Sequence, residues 1–413
     1  MKPGIFRDNN KLESLRGFAA VFVVMQHIVI DRIDLKFESP ILNAFKAPGN
    51  LCVLIFFMLS GYVIGISNKS NLTASTILTY LKKRVVRLYP IYFISMIVAL
   101  LVAAEQYPAN VIVCNFAMLQ DLFSKVIKEN DPAWSLHYEA LYYLLFIPIS
   151  YYNINPYLVA IGSVILGIVN YCLYPQLNTP ILTAYCVGFA FWMVGYITAN
   201  RLTLKDADTK PRILLSYLFL LLAMQIYHIS ATIFTSVSMR VFKHIPSFPE
   251  TLYWAKTKIG FGDLLFLPFC FIYIVVFANV ALKYKRVYMV ILHLLPLASL
   301  VTVLKSYNND NKYEIIICSL YYSLSLLLFF VNISVFDRIS QKFINIGKRL
   351  GGISYGIYII HFPVLVLFRN AFWQADTAGL FLIKLLFYCM AVFGVSYLLE
   401  SKFQLWVRAK LIK

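Results

Sequence analysis

Runs of apolar residues recur along almost the whole chain, and nothing else in the sequence constrains the fold as strongly. A stretch of roughly 18 or more apolar residues makes a helix long enough to cross the ~30 Å hydrocarbon core of a bilayer. Such runs fall near 12–31, 47–66, 89–105, 133–152, 157–175, 181–199, 213–231, 262–282, 287–304, 314–335, 353–371 and 380–399. With 60% of residues hydrophobic and 14% charged, the composition lies outside the range of soluble globular proteins. The expected fold is all-α, a polytopic transmembrane helix bundle of about 10–12 spans. It is expected to form one domain over 1–413, because no long soluble segment separates the runs. The N-terminus has basic residues before an apolar run, as a signal peptide does. It lacks a small-residue cleavage site and carries Gln26 and His27, so it is read as a retained first span.

The net charge of +18, from 37 Lys+Arg against 19 Asp+Glu, does not describe a nucleic-acid surface, because the basic residues come as short clusters between apolar runs. Placing both termini in the cytoplasm puts Lys82, Lys83, Arg84 and Arg87 on the inner side, together with Arg201, Lys205, Lys210 and Arg212, the KYKR at 283–286, and Arg338, Lys342, Lys348 and Arg349. The outer loops 174–180 and 372–379 then carry no Lys or Arg, as the positive-inside rule requires. Loop 232–261 breaks the pattern, being outside yet holding Arg240, Lys243, Lys256 and Lys258. The apolar segment 110–123 is too short to cross and suits an interfacial or re-entrant piece. Seven cysteines, scattered and nowhere paired as CxxC, read as small apolar helix residues, and no metal site is expected.

Ionisable groups inside a span are costly, so each is a candidate for function. From Glu13 the steps to Arg16, Ala20, His27 and Asp31 are 3, 4, 7 and 4, which at about 100° per residue keeps all five on one stripe. His27 stands about 16 Å above Arg16, near or past the middle of the bilayer. Such an imidazole either faces a polar cavity or simply bonds a neighbouring helix. Lys83, Arg84 and Arg87 share a helix face that suits phosphates, or equally the headgroups of anionic lipids. Glu139, about 9 Å into the run that opens at 133, is level with His27 and is its expected partner. A histidine held by a carboxylate is set up as a base. Trp134 and Tyr138 read alternatively as interfacial aromatics, and His137 as facing water. Ser354, Tyr358 and His361 share a face, either as part of a channel or as polar glue between helices. Glu13, Ser60, Trp134, Ser135 and Tyr142 join them as expected channel residues. His228, His244 and His293 are given no role. No phosphate-binding Gly-rich loop, zinc pattern or GxSxG elbow occurs.

Four stretches together resemble the acyltransferase-3 family of bacterial multi-pass membrane acyltransferases. They are LESLRGFAAVFVVMQH (Leu12 to His27), FFMLSGYVIG (Phe56 to Gly65) followed by KRVVRLYP (Lys83 to Pro90), WSLHYEALYYLLFIP (Trp134 to Pro148) and ISYGIYIIHFP (Ile353 to Pro363). The resemblance covers nearly the whole chain, with Glu13 where the family often has Asp and with more apolar runs than the family's usual core. It implies that Arg16 and His27 are the family's arginine and essential histidine, that Arg84 and Arg87 form its RxxR element, and that Trp134, Ser135, Leu136 and Glu139 form its WSL-x-x-E segment. The implied reaction moves an acyl group, most often acetyl, from cytoplasmic acyl-CoA to a hydroxyl of a cell-surface polysaccharide or lipid-linked glycan, in the bacterial inner membrane. Catalysis is then expected from His27, Glu139 and Arg16, and acyl-CoA binding from Arg84, Arg87 and Lys83. Acetyl-CoA is expected as donor substrate, with no permanently bound cofactor and no nucleic-acid partner. The hydrolase-like domain fused to some members is expected to be absent. The runner-up is a proton-coupled transporter or flippase of a glycan or lipid precursor, with His27, Glu139 and His361 as relay, although neither broken helices nor inverted repeats are visible. A third reading is a membrane sensor without turnover.

Overall fold

The computed structural model describes residues 10–34, 36–37, 39–174, 180–202, 209–227, 258–309 and 311–411. Among these residues it is helical throughout, with no strand. The main helices are α1 (Asn10–Ile30), α2 (Gly49–Ser67), α3 (Ala74–Val102), α4 (Trp134–Tyr151), α5 (Pro156–Leu173), α6 (Ile181–Arg201), α7 (Pro211–Ala223), α8 (Leu267–Phe277), α9 (Lys285–Lys305), α10 (Lys312–Phe330), α11 (Ser334–Gly351), α12 (Ser354–Ala371) and α13 (Ala378–Leu398). Every predicted apolar run therefore contains a helix. Eight helical stretches are long and apolar enough to cross a membrane alone, and nine when α11 and α12 count as one bent span. Of the other runs, α4 is diluted by polar residues and α7 and α8 are short. Most of loop 232–261, including Arg240, Lys243 and Lys256, lies outside the described residues, as do His228 and His244.

Two stretches expected as inner loops are helices. Residues 74–88 are the first half of α3, which runs for 29 residues without a break at Pro90, about 44 Å at 1.5 Å per residue. That length carries Arg84 and Arg87 on a rigid rod instead of a loop. Residues 334–351 form α11, which meets α12 at 73°. Its charges hide it from a hydropathy reading, but its buried Ser340, Ile344, Gly347 and Gly351 recur at steps of 4, 3 and 4, the period of one helix face. This face packs on α1, where Gly17 meets the backbone of Gly347 and Gly351 meets that of Glu13. Lipid gives helices no hydrophobic reason to associate, so close backbone contact through small residues has to hold them. The same device joins α2 to α6, where Gly61 lies against the Trp192 carbonyl and Gly195 against that of Met58. The short helix Ala109–Phe116 occupies the segment expected to be interfacial or re-entrant. His293 is buried, bonded to Ser216 Oγ at 2.9 Å and stacked on Phe329, as polar glue between helices.

One ion pair is buried completely. Lys384 on α13 donates to Asp34 Oδ2 at 3.0 Å, and both side chains are 0% exposed. The amides of Ala375 and Lys36 also donate to the same carboxylate. Burial works against the charge of Asp34, but these donors and the Lys384 ammonium outweigh it and hold the carboxyl below its ordinary value of 3.8. The pair's stabilisation is thus complete above that value and is lost as pH falls below it. Replacing Lys384 by Met leaves a buried carboxylate unpaired and is expected to cost about 3–5 kcal/mol. Thermal unfolding in detergent should show this loss at pH 7, and Asp34→Asn combined with Lys384→Met should recover much of it.

Candidate active site

His27 stands in the last turn of α1, and the residue one turn on is Asp31. His27 Nδ1 lies 2.6 Å from Asp31 Oδ2. A carboxylate only accepts, so Nδ1 carries a proton and Nε2 is the ring nitrogen left outside this bond. The His361 ring on α12 is 5.3 Å from that of His27, and Phe362 meets His27 edge-on at 5.1 Å. His361 Nδ1 faces the carbonyls of Tyr358 at 2.8 Å and Ile357 at 3.1 Å, so its proton is also on Nδ1. Its buried Nε2 has no hydrogen-bond partner.

Glu139 is not the partner of His27. Its Oε1 accepts from Ser60 Oγ at 2.7 Å and from the Tyr143 hydroxyl. Glu139 lies in one compartment with Arg16, whereas His27 lines another with Trp134, so Glu139 bonds Ser60 of α2 and Tyr143 one turn on along α4. It lines a partly open chamber of about 710 Å³ with Arg16, Ser60, Arg84, Arg87 and Tyr143. Ser135, Ser354, Tyr355 and Tyr358 close the far side. Glu13, at 2.9 Å from Arg16, is tied to the chamber only through that ion pair. Arg84 lies over the rings of Tyr80 and Tyr143, and its Nε is buried without a partner. Among the described residues neither Arg84 nor Arg87 forms an ion pair. Two unpaired guanidinium groups in one recess make a binding site for an anion such as phosphate.

A second cavity of about 590 Å³ holds His27 and Asp31 with Gln26, Asn50, Asp131, Trp134 and Lys258. Lys258 pairs with Asp131 at 2.9 Å, and Gln26 Oε1 is buried without a donor. Val53 and Tyr358 line both cavities and so form the wall between them. The Tyr358 hydroxyl is held at 2.6 Å from Ser135 Oγ and 3.1 Å from the Pro132 carbonyl. Ser135 and Tyr358 thus join the two compartments.

Three expectations need correction. Lys83 is exposed and does not line the chamber, although it stands one turn before Arg87 on α3. Tyr142 is 0% exposed and donates to the Tyr185 carbonyl among aromatic rings. Its neighbour Tyr143 lines the chamber instead. His137 does not face water but is buried between the Met118 carbonyl and the Tyr185 hydroxyl. Sequence reasoning left Asp31 and Tyr143 without roles, although each stands four residues after a group it bonds, a spacing that placed them on the same helix face.

The apolar helices with polar groups turned inward define a multi-pass integral membrane protein with an internal site. The chain belongs to the acyltransferase-3 family, whose acyltransferase domain matches residues 9–401. It is similar to the acyltransferase MdmB of Streptomyces mycarofaciens, with 26% identity over 148 residues. That match covers 33% of this chain and 37% of the relative. No solved structure matches. Asp31→Asn should keep the fold but remove the charge that holds the His27 tautomer. Acyl transfer by the purified variant is expected to fall by about 10²–10⁴-fold, the range for losing a positioned base.

Proposed function

We propose that the protein moves an acyl group, acetyl in the simplest case, from cytoplasmic acyl-CoA to a hydroxyl of a cell-surface polysaccharide or lipid-linked glycan, in the bacterial inner membrane. The observation that carries this reading is the pair of cavities meeting at Val53 and Tyr358, one with unpaired arginines and the other with the His27–Asp31 pair. Arg84 and Arg87 bind donor phosphates, and the pantetheine arm runs past Arg16 and Ser60 toward Tyr358. The acceptor enters from the His27 side, where the buried Gln26 carbonyl oxygen has no donor of its own and suits a hydroxyl.

His27 Nε2 takes the proton of that hydroxyl as its oxygen attacks the thioester carbonyl. A tetrahedral intermediate forms, and the carbon–sulfur bond then breaks to leave the ester and the CoA thiolate, which takes a proton. Asp31 holds the ring and offsets the positive charge that His27 acquires. Glu139, fixed by Ser60 and Tyr143, balances the arginines of the donor chamber instead of acting on His27.

The test is incubation of the purified protein and its His27→Ala variant with radiolabelled acetyl-CoA and candidate glycans in proteoliposomes. Thioester loss and labelled glycan should appear with the wild type and fall by about 10²–10⁴-fold in the variant. Labelled glycan formed equally by a folded variant would remove His27 from the mechanism. Absence of acyl-CoA turnover by the wild type would favour a transporter or sensor.

A further inference from the structure

We propose that the C-terminal helix completes the donor site and that Arg408 binds the ribose 3′-phosphate of coenzyme A, deeper phosphates being left to Arg84 and Arg87. This rests on the acyl-CoA reading above. The stretch Ala378–Leu411 is continuous over 34 residues. At 1.5 Å per residue about 20 of them cross the hydrocarbon, so an upright helix carries Arg408 about 15 Å beyond it. The basic loops lie on this side.

Several contacts tie this projecting end to the chamber. A π-helical turn, Leu399–Phe403, re-aims the chain, a feature that often accompanies functional sites. Within it, Glu400 accepts the amide of Gly356 at 3.0 Å. Next, Gln404 donates to the carbonyl of Val86 on α3, inside the segment that carries Arg84 and Arg87. Gln404 begins the helix Gln404–Leu411, and Arg408 is one turn further on the same face. Because the helix runs opposite to α3, that turn brings Arg408 toward Arg84, and it lies in electrostatic reach of both arginines. Among the described residues Arg408 forms no ion pair.

Three guanidinium groups brought together repel one another, and Glu139 and Glu400, in electrostatic reach of them, offset only part of that charge, so a phosphate anion is favoured beside them. Coenzyme A ends in a diphosphate and a ribose 3′-phosphate, a spread of charge that matches the two arginines lining the chamber and Arg408 one helical turn beyond the Gln404–Val86 contact. Leu405 and Trp406 are exposed on this helix, the latter with Lys410 4.5 Å over its ring.

The experiment compares acetyl-CoA with acetyl-3′-dephospho-CoA as donors for the full-length protein in proteoliposomes. The wild type should show a KM about tenfold or more lower for acetyl-CoA, the worth of roughly one charge-assisted hydrogen bond. Arg408→Ala should lose that preference by raising KM for acetyl-CoA alone, with kcat and the dephospho donor unchanged. Arg408→Lys, which keeps the charge, should retain part of it and guards against a folding defect. A preference unchanged in Arg408→Ala, or an equal loss for both donors, overturns the assignment while leaving the acyl-CoA reading intact. No turnover of either donor by the wild type would remove both.

Discussion

In hydrocarbon every charged group needs a partner or a wet cavity, and this requirement organises the whole molecule. Most ionisable side chains inside the bundle are accounted for locally. Arg16 meets Glu13, His27 meets Asp31, and Lys384 meets Asp34 in complete burial. Against that background the groups left unsatisfied stand out. Among the buried polar atoms without a partner, Arg84 Nε and Gln26 Oε1 line the two cavities and His361 Nε2 lies beside the His27 ring, where a substrate could supply what is missing. In a bilayer an orphaned polar group is a stronger pointer to a ligand than in water, because lipid cannot satisfy it.

In the proposed reaction the two cavities serve tasks with opposite electrostatic needs: a phosphate-bearing donor needs cations, and a cation beside a base disfavours protonation of that base. Placing Arg84 and Arg87 in one compartment and His27 in the other, with Tyr358 and Val53 between them, meets both needs. Ser135 and Tyr358 hydroxyls bonded across that wall make it a fixed feature of the α4–α12 contact. Glycine contacts between α1 and α11 and between α2 and α6 keep the helices close enough for these groups to meet.

Long apolar runs and the stripe from Glu13 to Asp31 were legible from sequence, because helix period and bilayer thickness are fixed lengths. The arginines of α3 and the seam of Ser354, Tyr358 and His361 were legible for the same reason. One helix, α11, was hidden because charge masks its periodicity, and at the start of α3 the short basic helix was legible but its unbroken continuation into the span was not. The pairing of His27 was misread because a depth estimated along one helix does not say which compartment a side chain enters. Glu139 enters the compartment of Arg16 and bonds Ser60 and Tyr143, while His27 lines the other.

The sequence by itself determined that this is a helical membrane protein, which residues carry charge inside it, and the family to which its motifs point. These follow from one-dimensional facts, namely run length, period and motif order. Only the tertiary structure decided that His27 pairs with Asp31, that Tyr143 and not Tyr142 lines the arginine chamber, and that the C-terminal helix returns to α3 at Val86 and Arg87. Those depend on the rotation of each helix about its axis, which is set by close packing against its neighbours and leaves no periodic trace in the chain.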